Sequence, residues 1–243
     1  MCTVTLIPVS GGIRLAANRD ESPHRPAALP PRIETIRGRA AVMPIDPLSG
    51  GTWIAATDAG LVFTLLNAYP EPRDPAAPTP RISRGTIIPR LLDSATLDEA
   101  YDRLADVRAD DYAAFRLVLA DRTRCADVCF APAACERHPP CPIGGPLLFT
   151  SSGLGDKIVD PPRRELFDAY FAAGKDWRER QDAYHRHSWP DRRHLSVCML
   201  RPEARTVSFT TVELLEDRVN MDYLADAPDV AGLPFGVTMA MRH

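Results

Sequence analysis

CTVTLIPVSGGIRLAANRDE, residues 2–21, is the stretch from which the fold can be read. Cys2 to Val9 alternates apolar and hydroxyl-bearing side chains, Ser10–Gly11–Gly12 supplies a turn, and Ile13 to Arg19 returns. That pattern predicts a β-hairpin. A turn centred near residue 11 pairs positions whose numbers sum to about 22. This register sets Asp20 opposite Cys2, with Asn18 and Arg19 one step away. A thiol and a polar cluster then converge at one end of a sheet.

Working outward, Thr52–Thr57, the turn Asp58–Ala59–Gly60 and Leu61–Asn67 predict a second hairpin. Its midpoint near residue 59 brings Asn67 close to Gly51, so the Gly50–Gly51–Thr52–Trp53 loop and Asn67 share a sheet end. Thr96-x-x-Glu99 reads as a capping box opening a helix with Leu97, Ala100, Tyr101 and Leu104 on one face. Phe115–Ala120 and Asp127–Ala131 form a further hairpin around residues 121–124. A second helix is expected from Pro162 to Gly174 and a third from Trp177 to Arg186. The last strands are Leu195–Arg201 and Thr206–Glu213, followed by an irregular tail. Strand pairs interrupted by helical blocks predict an α+β protein with layered antiparallel sheets, built as one domain over residues 1–243. No dinucleotide-binding or P-loop glycine fingerprint occurs.

The bulk chemistry narrows the function. Of 243 residues, 45% are hydrophobic and 25% charged, an ordinary globular balance. Net charge is −3, the isoelectric point is about 6.1, and the arginines are scattered, which argues against a nucleic-acid partner. No apolar run reaches about 18 residues, so no membrane span is expected. The first residues lack a basic stretch and apolar core, which makes a cytoplasmic location the expectation. The six cysteines are then thiols and not a disulfide framework. Twenty-four prolines fall mostly in three runs, Pro23–Pro31, Pro70–Pro80 and Pro139–Pro146, which read as ordered loops or strand edges.

Cys2 carries the sharpest chemical signal. Methionine ahead of a small residue is commonly excised, and an exposed N-terminal cysteine holds a nucleophile and a base together. A thiol near pKa 8.5 and an α-amine near 8 exchange a proton at little cost. The plainer reading is a small buried residue that begins a strand. Asn18–Arg19–Asp20–Glu21 strengthens the first. Asp20 could hold the α-ammonium, Arg19 could lower the thiol pKa or bind a carboxylate, and Asn18 and Asn67 could donate to an oxyanion. Against this stands a local loop in which Asp20 pairs with Arg25 or Arg19. Cys125, Cys129, Cys135 and Cys141, with three, five and five residues between them, lack the close paired spacing of structural zinc sites, and no metal is assigned. Cys198 reads as part of a strand. Asp46 and Asp58 have no partners visible in the sequence.

Taken in order, Met1–Cys2, Leu15–Ala16–Ala17–Asn18–Arg19–Asp20–Glu21, Gly50–Gly51–Thr52–Trp53 and Leu65–Leu66–Asn67 resemble the NRDE family, which includes the transport and Golgi organisation protein 2 relatives. The resemblance extends more weakly over Phe115–Phe130 and Phe149–Phe167 and returns at Leu195–Thr211. It implies a four-layer αββα fold of the N-terminal-nucleophile hydrolase kind, with two stacked antiparallel sheets. It further implies distant kinship to acylases that cleave non-peptide amides with an N-terminal cysteine. On that basis Cys2 is the nucleophile, Asp20 the partner of its amine and Asn67 an oxyanion donor. Arg19 is shifted by one position from the acylase arginine, and Ser151–Asp156 stands where related proteins carry another asparagine. Asn18, Arg19, Gly51, Trp53 and His194 are the candidate ligand-contacting residues. No cofactor is called for, and the implied ligand is a small amide, an acyl compound or a haem-like molecule. The alternative, also implied by the resemblance, is a non-catalytic haem or acyl-lipid/acyl-CoA binding and trafficking protein using the same cleft, where a cysteine and one of His24, His185, His187 or His194 could ligate haem iron.

Overall fold

The computed structural model describes residues 2–69, 82–131, 134–172, 174, 176–230 and 232–242. The strands β1 (Cys2–Val9), β2 (Gly12–Glu21), β3 (Leu29–Ile36), β4 (Arg39–Ile45), β5 (Ile54–Thr57) and β6 (Val62–Asn67) come first. Helix α1 (Leu97–Asp102) precedes β7 (Phe115–Ala120), β8 (Arg124–Ala131), β9 (Ala134–Pro142) and β10 (Leu147–Ser151). Helices α2 (Asp156–Phe171) and α3 (Trp177–Arg186) lead into β11 (Leu200–Arg201), β12 (Ala204–Leu214), β13 (Arg218–Leu224) and β14 (Phe235–Ala240). One sheet runs β10-β1-β2-β12-β13-β14, with β11 also paired to β12, and the other runs β3-β4-β5-β6-β7-β8-β9. All these pairings are antiparallel.

Period-two alternation builds the layers. Cys2, Val4 and Leu6 of β1 and Ile13, Leu15 and Ala17 of β2 pack against Val62, Leu66 and Val118 of the facing sheet. The intervening residues of β6 and β7, among them Phe63, Leu65, Leu117 and Leu119, turn outward onto Ile88, Leu92, Leu97 and Leu104. Here α1 and short 3-10 turns form a helical layer. On the far side, Leu148 of β10 meets Phe167 of α2 and Tyr184 of α3. Alternating faces buried on both sides are the signature of a sheet sandwiched between layers. This is the α+β, two-sheet arrangement expected above.

The first hairpin differs in register from expectation. Val9 pairs with Gly12, so Ser10–Gly11 alone makes the turn, with Gly11 at φ +80°. Partner numbers therefore sum to 21, and Cys2 lies opposite Arg19, not Asp20. In the second hairpin Ile54 pairs with Thr64 and the Leu65 N–H donates to the Trp53 carbonyl at 2.8 Å, the register read from sequence.

Other boundaries move for physical reasons. Helix α2 begins at Asp156 and not at Pro162, because the Asp156 carboxylate is held by the N–H groups of Tyr69 (2.9 Å) and Ser152 (2.8 Å). Both prolines then fall within the second turn. Strand character starts only at Leu200, since Arg193–Leu195 forms a 3-10 turn. The tail supplies β13 and β14, where an irregular segment was expected. Strands β3 and β9 carry Pro30–Pro31 and Pro139–Pro140, and both are edge strands, where a missing N–H costs least. The Pro70–Pro80 run lies outside the described residues.

Candidate active site

At one end of the two sheets a cleft of about 120 Å³ opens beside Cys2. Strands β1 and β2 supply Cys2, Arg19, Asp20 and Glu21 to it. The connection from β4 to β5 supplies Asp46, Ser49, Thr52 and Trp53, β6 supplies Leu65 and Asn67, and Ser83–Gly85 closes the far wall. The two hairpins thus bring together Cys2, Arg19, Asp20, Trp53 and Asn67.

Cys2 is 8% exposed, and its backbone N–H donates to Ser151 Oγ at 3.2 Å across the β1–β10 pair. Burial pushes its thiol above the ordinary range, and the charge of Asp20 adds to this. The Asp20 backbone N–H and the Arg19 charge act against the rise without cancelling it. A protonated thiol is the resting form, so nucleophilic chemistry here needs a base.

Arg19 shares the cleft-facing side of the sheet with Cys2, because directly opposed residues project to one face. Its guanidinium carbon stacks 4.2 Å from the centre of the Trp53 ring, and only 10% of the side chain is exposed. The nearest carboxylate oxygens, on Glu21 and Asp46, stand at 3.9 and 4.0 Å. Asp46 is engaged elsewhere, accepting from Arg25 Nη2, from the Leu48 N–H at 3.1 Å and from Ser49 Oγ at 3.2 Å. Burial alone would raise its pKa, but the Arg25 hydrogen bond and the Leu48 N–H hold it below the usual carboxylate range. Asp58, the other acidic residue without a sequence partner, meets Arg39 Nη1 at 3.2 Å.

Asp20, one residue further along β2, turns toward the helical layer. It is 2% exposed, and its Oδ1 accepts from Thr206 Oγ1 at 2.7 Å. Burial raises its pKa, opposed first by the buried Arg163 guanidinium of α2. Arg163 in turn donates to Thr3 Oγ1 at 2.7 Å, to the Leu195 carbonyl at 3.0 Å and to the Ser196 carbonyl at 2.6 Å. The local pairing of Asp20 with Arg25 or Arg19 is not what forms: Arg25 goes to Asp46 and Glu21.

Two expected ligand contacts are corrected. Asn18, on the same face as Asp20, is wholly buried beneath α3 and cannot reach the cleft. Its Nδ2 donates to the carbonyls of His185 and Val197, both at 2.9 Å, and its Oδ1 lies 3.0 Å from His185 Nδ1. His185 Nε2 sits 2.8 Å from Thr5 Oγ1, which also accepts from Gln181 Nε2 at 2.9 Å. Burial lowers the His185 pKa to about 3, so the ring is neutral, with Nδ1–H donating to Asn18 and Nε2 accepting from Thr5. His194 is exposed on the Arg193–Leu195 turn, away from the cleft. Gly51 contributes through its backbone: a Cβ there would lie 2.3 Å from the Gly85 carbonyl oxygen, and its neighbour Thr52 donates N–H to that oxygen at 3.1 Å. Only glycine lets the far wall approach.

Asn67 lines the cleft, its Nδ2 donating to Tyr69 Oη at 3.0 Å. Sequence reading missed Ser151, Arg25 and the Ser83–Gly85 wall. Ser151 required β10, which carries no hairpin signal, whereas Glu21 and Arg25, four apart, were a legible charge pair. Cys125 and Cys141 face each other across β8 and β9, and among the described residues no three metal-binding side chains converge. No helix among them is long and apolar enough to cross a membrane.

A family model described as Transport and Golgi organisation 2 matches residues 10–139. No curated protein matches the chain. Among solved structures, the chain is similar to the Caenorhabditis elegans N-acylethanolamine-hydrolyzing acid amidase ortholog, with 12% identity, a TM-score of 0.58, and coverage of 95% of this chain and 94% of that one. It is also similar to two variants of the conjugated bile acid hydrolase from Clostridium perfringens, each at 12% identity and a TM-score of 0.53, with coverage of 100% and 97%. At such identity the likeness is one of fold.

Proposed function

Because the chain belongs to the transport and Golgi organisation 2 family and opens its cleft on the Cys2 thiol, we propose that it is a small-molecule amide hydrolase with Cys2 as nucleophile. The observation that carries this reading is the shared end of the two hairpins, where Cys2, Arg19, Asp20 and Asn67 line one cleft. The names of its structural neighbours, an N-acylethanolamine-hydrolyzing amidase and a conjugated bile acid hydrolase, support linear, non-peptide C–N bonds as the target.

The reaction follows from the residues. Removal of Met1 frees the Cys2 α-amine, which takes the thiol proton as the sulfur attacks the substrate carbonyl. Asp20 orients that amine, and Arg163 and Thr206 oppose the rise in its pKa that burial causes. Asn67 Nδ2 and backbone N–H groups donate to the oxyanion. Collapse breaks the C–N bond, the ammonium returns its proton to the leaving amine, and water then hydrolyses the thioester. A thiol nucleophile must stay reduced, which suits a cytoplasmic setting. For haem, no histidine lines the cleft among the described residues, so no geometry favours a Cys–His ligand pair.

Intact-mass analysis before and after brief exposure to iodoacetamide tests the reading. Loss of the methionine mass with selective labelling of Cys2 is expected. Cys2→Ala should lower turnover of a cleaved amide by ~10³-fold or more, and Asp20→Asn should do so in part, both in folded protein. A retained Met1 on natively produced protein, with Cys2 no more reactive than Cys198, would sink the mechanism.

A further inference from the structure

At the cleft, two buried nitrogens, Trp53 Nε1 and Arg25 Nε, have no hydrogen-bond partner among the described residues. The Trp53 indole Nε1 is buried without a partner, in a residue only 8% exposed. The Arg19 guanidinium stacked on that ring is 10% exposed, and its nearest carboxylate oxygens at 3.9 and 4.0 Å are too distant for hydrogen bonds. Asp46 is hydrogen-bonded to Arg25 Nη2, whereas Glu21 Oε2 stands between the two arginines, 3.8 Å from Arg25 Nε. Buried donors are nearly always satisfied, so an indole N–H left open beside a guanidinium that hydrogen-bonds neither nearby carboxylate marks where a ligand's acceptor atoms belong.

The chemistry of the pair selects the ligand. A guanidinium presents parallel N–H groups that match the two oxygens of a carboxylate. Glu21 and Asp46, about 4 Å from Arg19, would repel a dianion more than a monoanion. Position sets the spacing. Arg19 lies directly opposite Cys2, so the subsite begins within a few ångströms of the reacting sulfur. Apart from Trp53 and Leu65, the described lining carries no large apolar side chain of the kind a long acyl tail needs.

We propose that Arg19 and Trp53 Nε1 form a carboxylate subsite, and that the substrate is a small polar amide whose carboxylate lies about three bonds from the scissile carbonyl carbon, as in an N-acyl-α-amino acid. The assignment of substrate rests on Cys2 being the nucleophile, whereas the subsite itself does not.

Indole ¹⁵N–¹H resonances read the subsite directly. The protein has three tryptophans, and Trp53→Phe assigns the signal of interest. N-acetylglycine should shift the Trp53 signal saturably, in wild type and in Cys2→Ala alike. N-acetylglycinamide should require at least ~10-fold more ligand. Arg19→Met should weaken the acid by a similar factor, and Arg19→Lys, which keeps the charge but not the fork, should fall between. Equal binding of acid and amide, no shift with either, or tighter binding of inorganic phosphate would overturn the proposal. Binding to Cys2→Ala without any turnover in wild type would refute the hydrolase reading and leave the subsite standing. Turnover of neutral amides without acid-selective binding would do the reverse.

Discussion

His185 makes stability depend on pH in a way the structure quantifies. Its ring is fully buried, hydrogen-bonded at both nitrogens, and held neutral with a pKa lowered to about 3. In the unfolded chain it titrates near 6.5. Between these values the unfolded state binds the extra proton, so stability is fully present above about pH 6.5 and drains as pH falls toward 3. Integrating the linkage from pH 6 to pH 4 gives a loss of about 2.5 kcal/mol from this one group, a large share of a typical ~5–15 kcal/mol total. Asp46 and Asp160 have lowered pKa values and lose their contribution only below their unfolded values near 4, outside this window. His187, lowered by partial burial, adds in the same direction, and Asp20, raised by burial, acts in the opposite one. Comparing wild type with His185→Gln cancels both. Urea unfolding followed by tryptophan fluorescence at half-unit steps from pH 6 to 4 should show the wild-type free energy falling more steeply, by up to about 1.4 kcal/mol per pH unit. Parallel pH dependences would refute the assignment of a neutral, doubly bonded His185.

Two further substitutions probe the frame of the cleft. Gly51→Ala places a methyl 2.3 Å from the Gly85 carbonyl oxygen, so it should cost about 1–3 kcal/mol in a denaturant midpoint measurement. It should also raise the KM of any cleaved amide, since the Ser83–Gly85 wall must retreat. Asn18→Leu strands the carbonyls of His185 and Val197 and the Nδ1–H of His185, which should cost about 3–5 kcal/mol. Its folded fraction at low temperature should retain Cys2 labelling by iodoacetamide. Loss of labelling with unchanged stability would return Asn18 to the chemistry.

The sequence made the hairpins legible because their turns are marked by glycine and their strands by alternation. Both strands of β5–β6 were placed in register by the Asp58–Ala59–Gly60 turn. The first hairpin was off by one because Ser10–Gly11–Gly12 admits a two- or three-residue turn, and nothing local distinguishes them. In a strand that error is not small. A one-residue slip exchanges the faces, sending Asn18 and Asp20 to the cleft and Arg19 away from it. Strands β3 and β9 read only as loops or strand edges, and β10 not at all, for another reason. Two are proline-bearing edges and the third is five residues long, so their strand state is decided by the neighbours they pair with, not by their own pattern. Ser151, which meets Cys2 only through the β1–β10 pairing, could not be reached from local periodicity.

The corrected register gives the Asn-Arg-Asp-Glu segment a division of labour. Arg19 and Glu21 face the cleft, Asn18 faces the helices, and Asp20 borders the cleft while its carboxylate is held by Thr206 on β12. Asn18 ties β2 to α3 and to the chain at Val197, and Thr5 ties β1 to the same histidine. Asp20 is bound to β12 through Thr206 and held electrostatically by Arg163 of α2. Every cleft-facing residue of this strand end is therefore flanked by one anchored beneath it. Alternation makes this unavoidable: a strand can fix the Cα positions of Cys2 and Arg19 only through neighbours that point the other way. The motif is then best understood as one strand serving two surfaces. A substitution at Asn18 acts on stability, one at Arg19 on ligand choice, and one at Asp20 on both.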